Sequence, residues 1–422
     1  MNDNNFISGT LSRLFRLGET TGRVGFTLLK NLNNNFKNLD LNQVIKVVDN
    51  LSRLKGAPMK VGQMLSLHED LLPPEIIEIL RILQKDTPPV SFSVIEQVLQ
   101  KELKEKLSDF TFIEKRPFAS ASIGQVHKGK LKTGEDVILK IQYPGIRKSI
   151  KTDLATIKLI LSPLFKALEL PFEEPWEEIK ERLMEEVDYS KELENLKLFH
   201  QKVHIENLVY PRYFEEYSTK EVLTLGFEES FSWSETKKYP HLQEKWIIAL
   251  LKFIIWGFFK YELLHVDPNA ANFGFREDGT VVVYDFGCIK KVPSYLAKAY
   301  KETAVCVLMD EWDKIGEILY NAGIKTKGEK PLPERFLRPH LVIIQEVFPN
   351  KETYFGEDSK VYQRLLEITH ESWEDVRDFV FPKDIIFIHR NLIGHFGNLR
   401  RLHVKKNWRQ VFLELIAQAE TT

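Results

Sequence analysis

The chain has 422 residues, 43% of them hydrophobic and 28% charged, with a formal net charge of −1. That balance is ordinary for two or three packed units and excludes a chain disordered throughout, as well as the global basic field that marks nucleic-acid binding. Two cysteines, Cys288 and Cys306, exclude a disulfide scaffold and a cysteine-based zinc site, fit a reducing compartment, and read as small packing residues.

The opening stretch MNDNNFISGTLSRLF lacks a basic-then-apolar signal pattern, so the expectation is an unprocessed, cytoplasmic chain. Residues 8–36 set Leu11, Leu14, Phe15, Val24 and Phe26 among Arg13, Arg16, Arg23 and Lys30. This weakly amphipathic basic pattern reads first as a helix packed on its own domain, and second as contact with an anionic bilayer surface. From Leu41 to Gln84 the pattern is again helical, with Pro73 and Pro74 fitting a helix start. Within it, APMKVGQML places Lys60 and Gln63 three apart on one face of a mainly apolar helix. A half-buried lysine is costly unless an anion meets it, so Lys60 requires a partner.

Between Phe110 and Gly145 short β-like runs flank the turn Lys132-Thr133-Gly134-Glu135, which predicts a small antiparallel meander. Helical pattern returns from Ile146 to Lys202, and two short strands follow around 208–210 and 221–227. The most apolar window, Trp246 to Leu264, is broken by Lys252, Lys260 and Glu262, so it reads as a core helix rather than a membrane span. The remainder is mainly helical except for NFGFREDGTVVVYDFG, a hairpin turning at Glu277-Asp278-Gly279.

The strongest chemical signal is HVDPNAANFGF followed by VVVYDFG. Asp267 and Asn272 are five apart, and Asp285 follows thirteen residues later in Asp-Phe-Gly, the spacing of a protein-kinase catalytic loop and its metal-binding turn. Phosphoryl transfer needs hard oxygen ligands for Mg²⁺, supplied by Asn272 and Asp285, and a carboxylate to orient the attacking hydroxyl, supplied by Asp267. His265 is expected to pack and hydrogen-bond within the loop. Upstream, Lys140 in VILKIQ stands where a strand lysine holds the α- and β-phosphates, and its glutamate partner must come from ERLMEEVDYSKELENLKLF, which offers several. In PFASASIGQVH, the position of a phosphate loop, Ala119, Ser120, Ala121 and Ser122 precede a lone Gly124, so the loop is stiffer than a glycine-rich one.

Together these residues resemble the UbiB/AarF family of atypical kinases, whose mitochondrial members support coenzyme Q synthesis. Its marks are Lys60-Val61-Gly62-Gln63 as K-x-G-Q, the alanine-rich loop at Ala119 to Ser122, Lys140, Glu186-Val187-Asp188 as E-x-D, Asp267 to Asn272, and Asp285-Phe286-Gly287. The resemblance implies an α+β, protein-kinase-like bilobal fold with an N-terminal all-α extension over residues 1–109, an N-lobe with a helical insertion over 110–226, and a helical C-lobe over 227–422. It assigns Glu192 as the partner of Lys140, and Glu186 and Asp188 as the anionic partners of Lys60. It places Lys60 and Gln63 over the nucleotide pocket, which disfavours phosphorylation of proteins in trans.

It also implies ATP or ADP with Mg²⁺ as ligands, and ATPase or small-molecule phosphoryl transfer as the reaction. The pathway implied is prenyl-quinone or isoprenoid-lipid metabolism at a membrane surface. The partners it implies are an isoprenoid-lipid or quinone-precursor ligand, peripheral membrane contact and quinone-biosynthesis proteins, with no nucleic acid. The chain departs from the pattern at Ser120, which interrupts the alanine loop, and at Gly226, which stands where an acidic residue is frequent, leaving adenine to backbone groups. The competing readings are a small-molecule kinase of the aminoglycoside or choline type, which lacks K-x-G-Q, and a non-catalytic, nucleotide-gated lipid-binding scaffold.

Overall fold

The computed structural model describes residues 90–121, 123–167, 173–356, 378–382 and 385–421. Lys60 and Gln63, the basic stretch at 8–36 and Ser122 lie outside them. The chain divides into two compact units; the described part of one is Val90 and residues within Tyr143–Met184, and the other comprises Ser91–Gln142 and Glu185–Thr422.

In the smaller unit the helical expectation holds. Its described residues lie mainly in helices α2 (Ile146–Ala167) and α3 (Glu173–Glu186).

The larger unit begins with α1 (Phe92–Leu103), which buries Ile95, Val98, Leu99 and Leu103 along one face. The predicted meander follows as β1 (Phe110–Ile113), β2 (Ala119–Ala121), β3 (Gly124–Leu131) and β4 (Asp136–Gln142). With β6 (Val222–Gly226) these strands make a five-stranded antiparallel sheet, ordered β1-β3-β4-β6 with β2 also paired to β3. Because β4 is flanked on both edges, its sequence is almost continuously apolar. Val137, Leu139 and Ile141 lie fully buried on one face, and Lys140 is turned to the other. Helix α4 (Tyr189–Lys202) starts at Asp188, whose carboxylate accepts the Ser190 N–H at 3.3 Å.

The helical half is organised around α5 (Gln243–Phe259), which buries twelve of its seventeen residues, so its apolar surface is far wider than one stripe. The sequence window ran to Leu264, but α5 ends at Phe259. The Lys260 and Tyr261 amides both turn back to the Trp256 carbonyl, Glu262 takes a left-handed φ of 56°, and the chain leaves as β7 (Leu263–His265). No helix among the described residues is long and apolar enough to cross a membrane.

The predicted hairpin is present as β8 (Phe273–Phe275) and β9 (Val281–Val283), with β9 also running parallel to β5 (Leu208–Val209). Three strand pairs among the described residues were not expected: β10 (Ile289–Lys291) lies antiparallel to β7, Ile289 opposite His265, while Lys325–Thr326 pairs with Phe379–Val380 and Glu352–Tyr354 with Lys405–Asn407. Strands of three residues are too short to print a period-two pattern in the sequence. Helices α6 (Ser294–Leu308), α7 (Ile315–Asn321), α8 (Glu334–Val347), α9 (Ile385–Leu399) and α10 (Trp408–Thr421) complete the unit. The indole of Trp256 donates to the Leu415 carbonyl at 2.8 Å, tying α5 to α10.

Candidate active site

Two stretches of irregular backbone are each clamped between short strands. Residues 266–272 run from β7 to β8, and residues 284–288 run from β9 to β10. The Tyr284 amide bonds the Asn272 carbonyl at 2.9 Å and the Val266 amide bonds the Cys288 carbonyl at 2.9 Å. Strand pairing thus fixes the two stretches against each other before any side chain contributes.

Lys140, Glu192 and Asp285, separated by 52 and 145 residues from the lysine, meet in the fold. The Lys140 ammonium donates to Glu192 Oε1 at 2.5 Å and to Asp285 Oδ2 at 2.9 Å. Lys140 and Glu192 are 9% and 5% exposed, while the Asp285 side chain keeps 34% of its surface. Burial alone would lower the lysine, but the facing Asp285 and Glu192 charges hold it above its ordinary value. Burial and then the Asp285 charge push Glu192 up to about 7 against the pull of Lys140. Burial opposes ionisation of Asp285 too, yet the Lys140 charge and hydrogen bond hold it well below the usual carboxylate range. The Phe286 amide donates to Glu192 Oε1 at 3.3 Å and the Gly287 amide to Asp285 Oδ1 at 2.9 Å.

Asp267 is half-buried and accepts the Asn269 amide at 3.1 Å. Asn272 closes a single 3-10 turn and spends its side-chain N–H on the Asp267 carbonyl at 3.3 Å. Its amide oxygen therefore remains as a hard donor, and the β8–β9 register sets Asn272 opposite Tyr284, the residue before Asp285. Those two oxygen groups fit a divalent cation that takes the rest of its ligands from phosphate and water. His265 packs as expected, donating from Nε2 to the Asp285 carbonyl at 2.7 Å.

The alanine-rich segment is a strand edge. Ala119, Ser120 and Ala121 pair with Val126, Gln125 and Gly124. A side chain at Gly124 would overlap the Ile141 carbonyl, so the glycine there permits the close approach of β3 and β4. Glu186 ends α3 half-buried and Asp188 is buried at the start of α4. The amides of Gly226 and Phe227 bond the Arg212 and Asp136 carbonyls at 2.8 and 2.9 Å, so neither is an open donor for a base.

Several residues that hold the site carried no motif. The Asn195 side chain donates to the Phe286 carbonyl at 2.8 Å and the Trp233 indole to the Ala270 carbonyl at 2.9 Å. From α9, Asn391 and His395 both donate to the His265 carbonyl, the latter at 2.8 Å, and Asn398 donates to the Pro268 carbonyl at 2.5 Å. The available signal was a set of polar residues at helical spacing within the apolar run IIFIHRNLIGHFGNL.

Residues 82–319 match the ABC1 atypical kinase-like domain, more than half of the chain. A probable serine/threonine-protein kinase, abkA of Dictyostelium discoideum, is 26% identical over 83% of this chain and 66% of its own length. The mitochondrial atypical kinase COQ8B of Danio rerio is 26% identical over 88% of this chain and 60% of its own. The chain thus spans about three fifths to two thirds of the length of these relatives. Among solved structures, Rv3197 of Mycobacterium tuberculosis, determined with erythromycin, has a TM-score of 0.62 at 22% identity and covers 94% of this chain and 98% of its own, a likeness of fold. The matched segment contains Lys140, Glu192, Asp267, Asn272 and Asp285 in order, and the chain belongs to the ABC1 atypical kinase-like family, within which the relatives named COQ8 fall.

Proposed function

We propose that the protein is a kinase-like ATPase that binds ATP or ADP with Mg²⁺ and acts in, or regulates, prenyl-quinone or other isoprenoid-lipid metabolism at a membrane surface. The observation that carries the nucleotide reading is the buried Lys140–Glu192–Asp285 cluster, assembled from β4, α4 and the turn after β9. One ammonium faces two carboxylates, an arrangement short of positive charge until a cation arrives.

In this reading Lys140 holds the α- and β-phosphates and Glu192 fixes Lys140. Asp285 and the Asn272 oxygen hold Mg²⁺, whose role is to neutralise charge on the phosphates. Asp267 orients the attacking hydroxyl or water. Ala119 to Ser122 and Gly124 border the phosphates. Lys60 and Gln63, with Glu186 and Asp188 as anionic partners of Lys60, complete the pocket and disfavour protein substrates. The lipid pathway is supported by the COQ8 relatives and by the basic amphipathic stretch at 8–36.

The test is binding of a fluorescent ADP analogue with and without Mg²⁺. Wild-type protein binds in a Mg²⁺-dependent manner, and Asp285→Asn loses that binding by about a hundredfold or more, consistent with removal of a charged ligand. Undiminished binding in the folded variant would remove Asp285 from the site. Phosphate release stimulated by vesicles containing an isoprenoid lipid distinguishes the ATPase from a scaffold, which releases none.

A further inference from the structure

The loop bearing Asp267 is irregular, largely half-buried chain, and the main-chain groups it withdraws from water must find hydrogen-bond partners outside a ladder. Three of those partners come from one face of α9. Asn391, His395 and Asn398, spaced by four and three residues, are 1%, 3% and 8% exposed. All three aim at main-chain carbonyls that flank Asp267: His265 two residues before it and Pro268 one residue after.

The helix also approaches closely. A side chain at Gly394 would overlap the Pro268 ring, and Ile388, six residues earlier, packs in the same apolar cluster as Leu264 and Val266. His265 extends the chain of contacts, since its carbonyl takes two donors from α9 while its ring donates to the Asp285 carbonyl at 2.7 Å. The segment lies beyond residues 82–319, the extent of the family match.

We infer that α9 is a positioning element of the active site, with Asn391, His395 and Asn398 as the positioning residues that set Asp267 against the nucleotide's γ-phosphate. The inference rests on the nucleotide reading above. Neutral donors on backbone carbonyls fix the loop without altering the charge seen by a phosphate. Their loss therefore displaces Asp267 while Lys140 and Asp285 remain to bind nucleotide, and a displacement of about 1 Å costs up to about a hundredfold in rate.

The experiment is Mg-ATP hydrolysis and fluorescent ADP binding by full-length Asn398→Ala, His395→Leu and His395→Gln, each checked by circular dichroism. Expected is a fall in kcat of about tenfold or more in the first two with ADP affinity within about twofold, and recovery to within about threefold in His395→Gln, which keeps a donor. If Asn398→Ala does not fold, Asn398→Ser carries the same measurement. Folded variants with wild-type kcat would overturn the role of α9, as would kcat and affinity falling together without rescue by glutamine. A wild-type protein that neither hydrolyses ATP nor binds Mg-ADP would instead overturn the nucleotide reading, and this role with it.

Discussion

Around Lys140 the site is assembled by charge, one ammonium against two carboxylates, whereas around Asp267 it is assembled by neutral donors from α9 and Trp233 against main-chain carbonyls. The two regions adjoin, yet they solve different problems. On the proposed nucleotide reading, the charged region binds and releases a highly charged ligand, so it keeps an imbalance that a cation can relieve. In the same reading the neutral region must only hold still, and neutral N–H-to-carbonyl bonds do so without adding charge beside a bound phosphate.

The largest effect that would break this contrast is in the charged region. Lys140→Ala leaves Glu192 and Asp285 facing each other with no cation between them. Removing one partner of a buried pair costs about 3–4 kcal/mol here, reduced from the usual upper range because Asp285 is partly open to solvent. Denaturant unfolding of the nucleotide-free protein measures the loss, and Mg²⁺ should restore part of it in the variant. A change within about 0.5 kcal/mol would show that the cluster adds little to stability.

The two regions should also differ in the sign of their response to acid. Burial, with His265 nearby, pushes His395 down from 6.5 to about 4. The unfolded chain then takes up a proton that the folded chain refuses, so stability is complete above 6.5 and declines as the pH falls toward 4, by about 2–3 kcal/mol in all. Glu192, held up at about 7, works the other way, since the folded chain binds its proton more readily and stability rises as pH falls from 7 toward 4.5. Subtracting the stability profile of His395→Gln from that of wild type isolates the histidine. A flat difference between pH 4 and 6.5 would mean that His395 is not held neutral.

Next in size is the packing of the neutral region. Gly394→Ala places a methyl group against the Pro268 ring, and overpacking at such a contact costs about 1–2 kcal/mol. Hydrogen exchange at 266–272 should rise in this variant while exchange in β3 and β4 stays unchanged, because the strain enters through the catalytic loop. Faster exchange in the sheet as well would show that the two regions are not independent.

The contrast also explains what the sequence could disclose. Lys140, Asp267, Asn272 and Asp285 stood out because they hold the separations along the chain at which a kinase-type site carries those functional groups. Glu192 needed the family resemblance, since several glutamates of α4 and its approach carry the same chemistry and only the fold selects one. Asn391, His395 and Asn398 stayed hidden because their partners are carbonyls, which every residue has and no sequence marks. The five-stranded sheet was legible from its turns and apolar runs, while β7 and β10, three residues each, were fixed by tertiary pairing.

The smallest effect comes from a lysine on the adjacent strand, and it tests whether burial rather than pairing gives the Lys140 cluster its weight. Lys130 on β3 reaches Asp136 on β4 at 3.2 Å, a geometry close to that of Lys140 and Asp285 at 2.9 Å. The Lys130 and Asp136 side chains are 40% and 62% exposed, so water screens the attraction and each charge keeps its hydration. Lys130→Ala should therefore change stability by less than about 0.5 kcal/mol, with no dependence on Mg²⁺ or nucleotide. Denaturant unfolding beside Lys140→Ala makes the comparison within a single sheet. If the two variants lost similar stability, the separation of a charge-built region from a neutral frame would fail, because an exposed pair would then be worth as much as the buried cluster at the centre of the site.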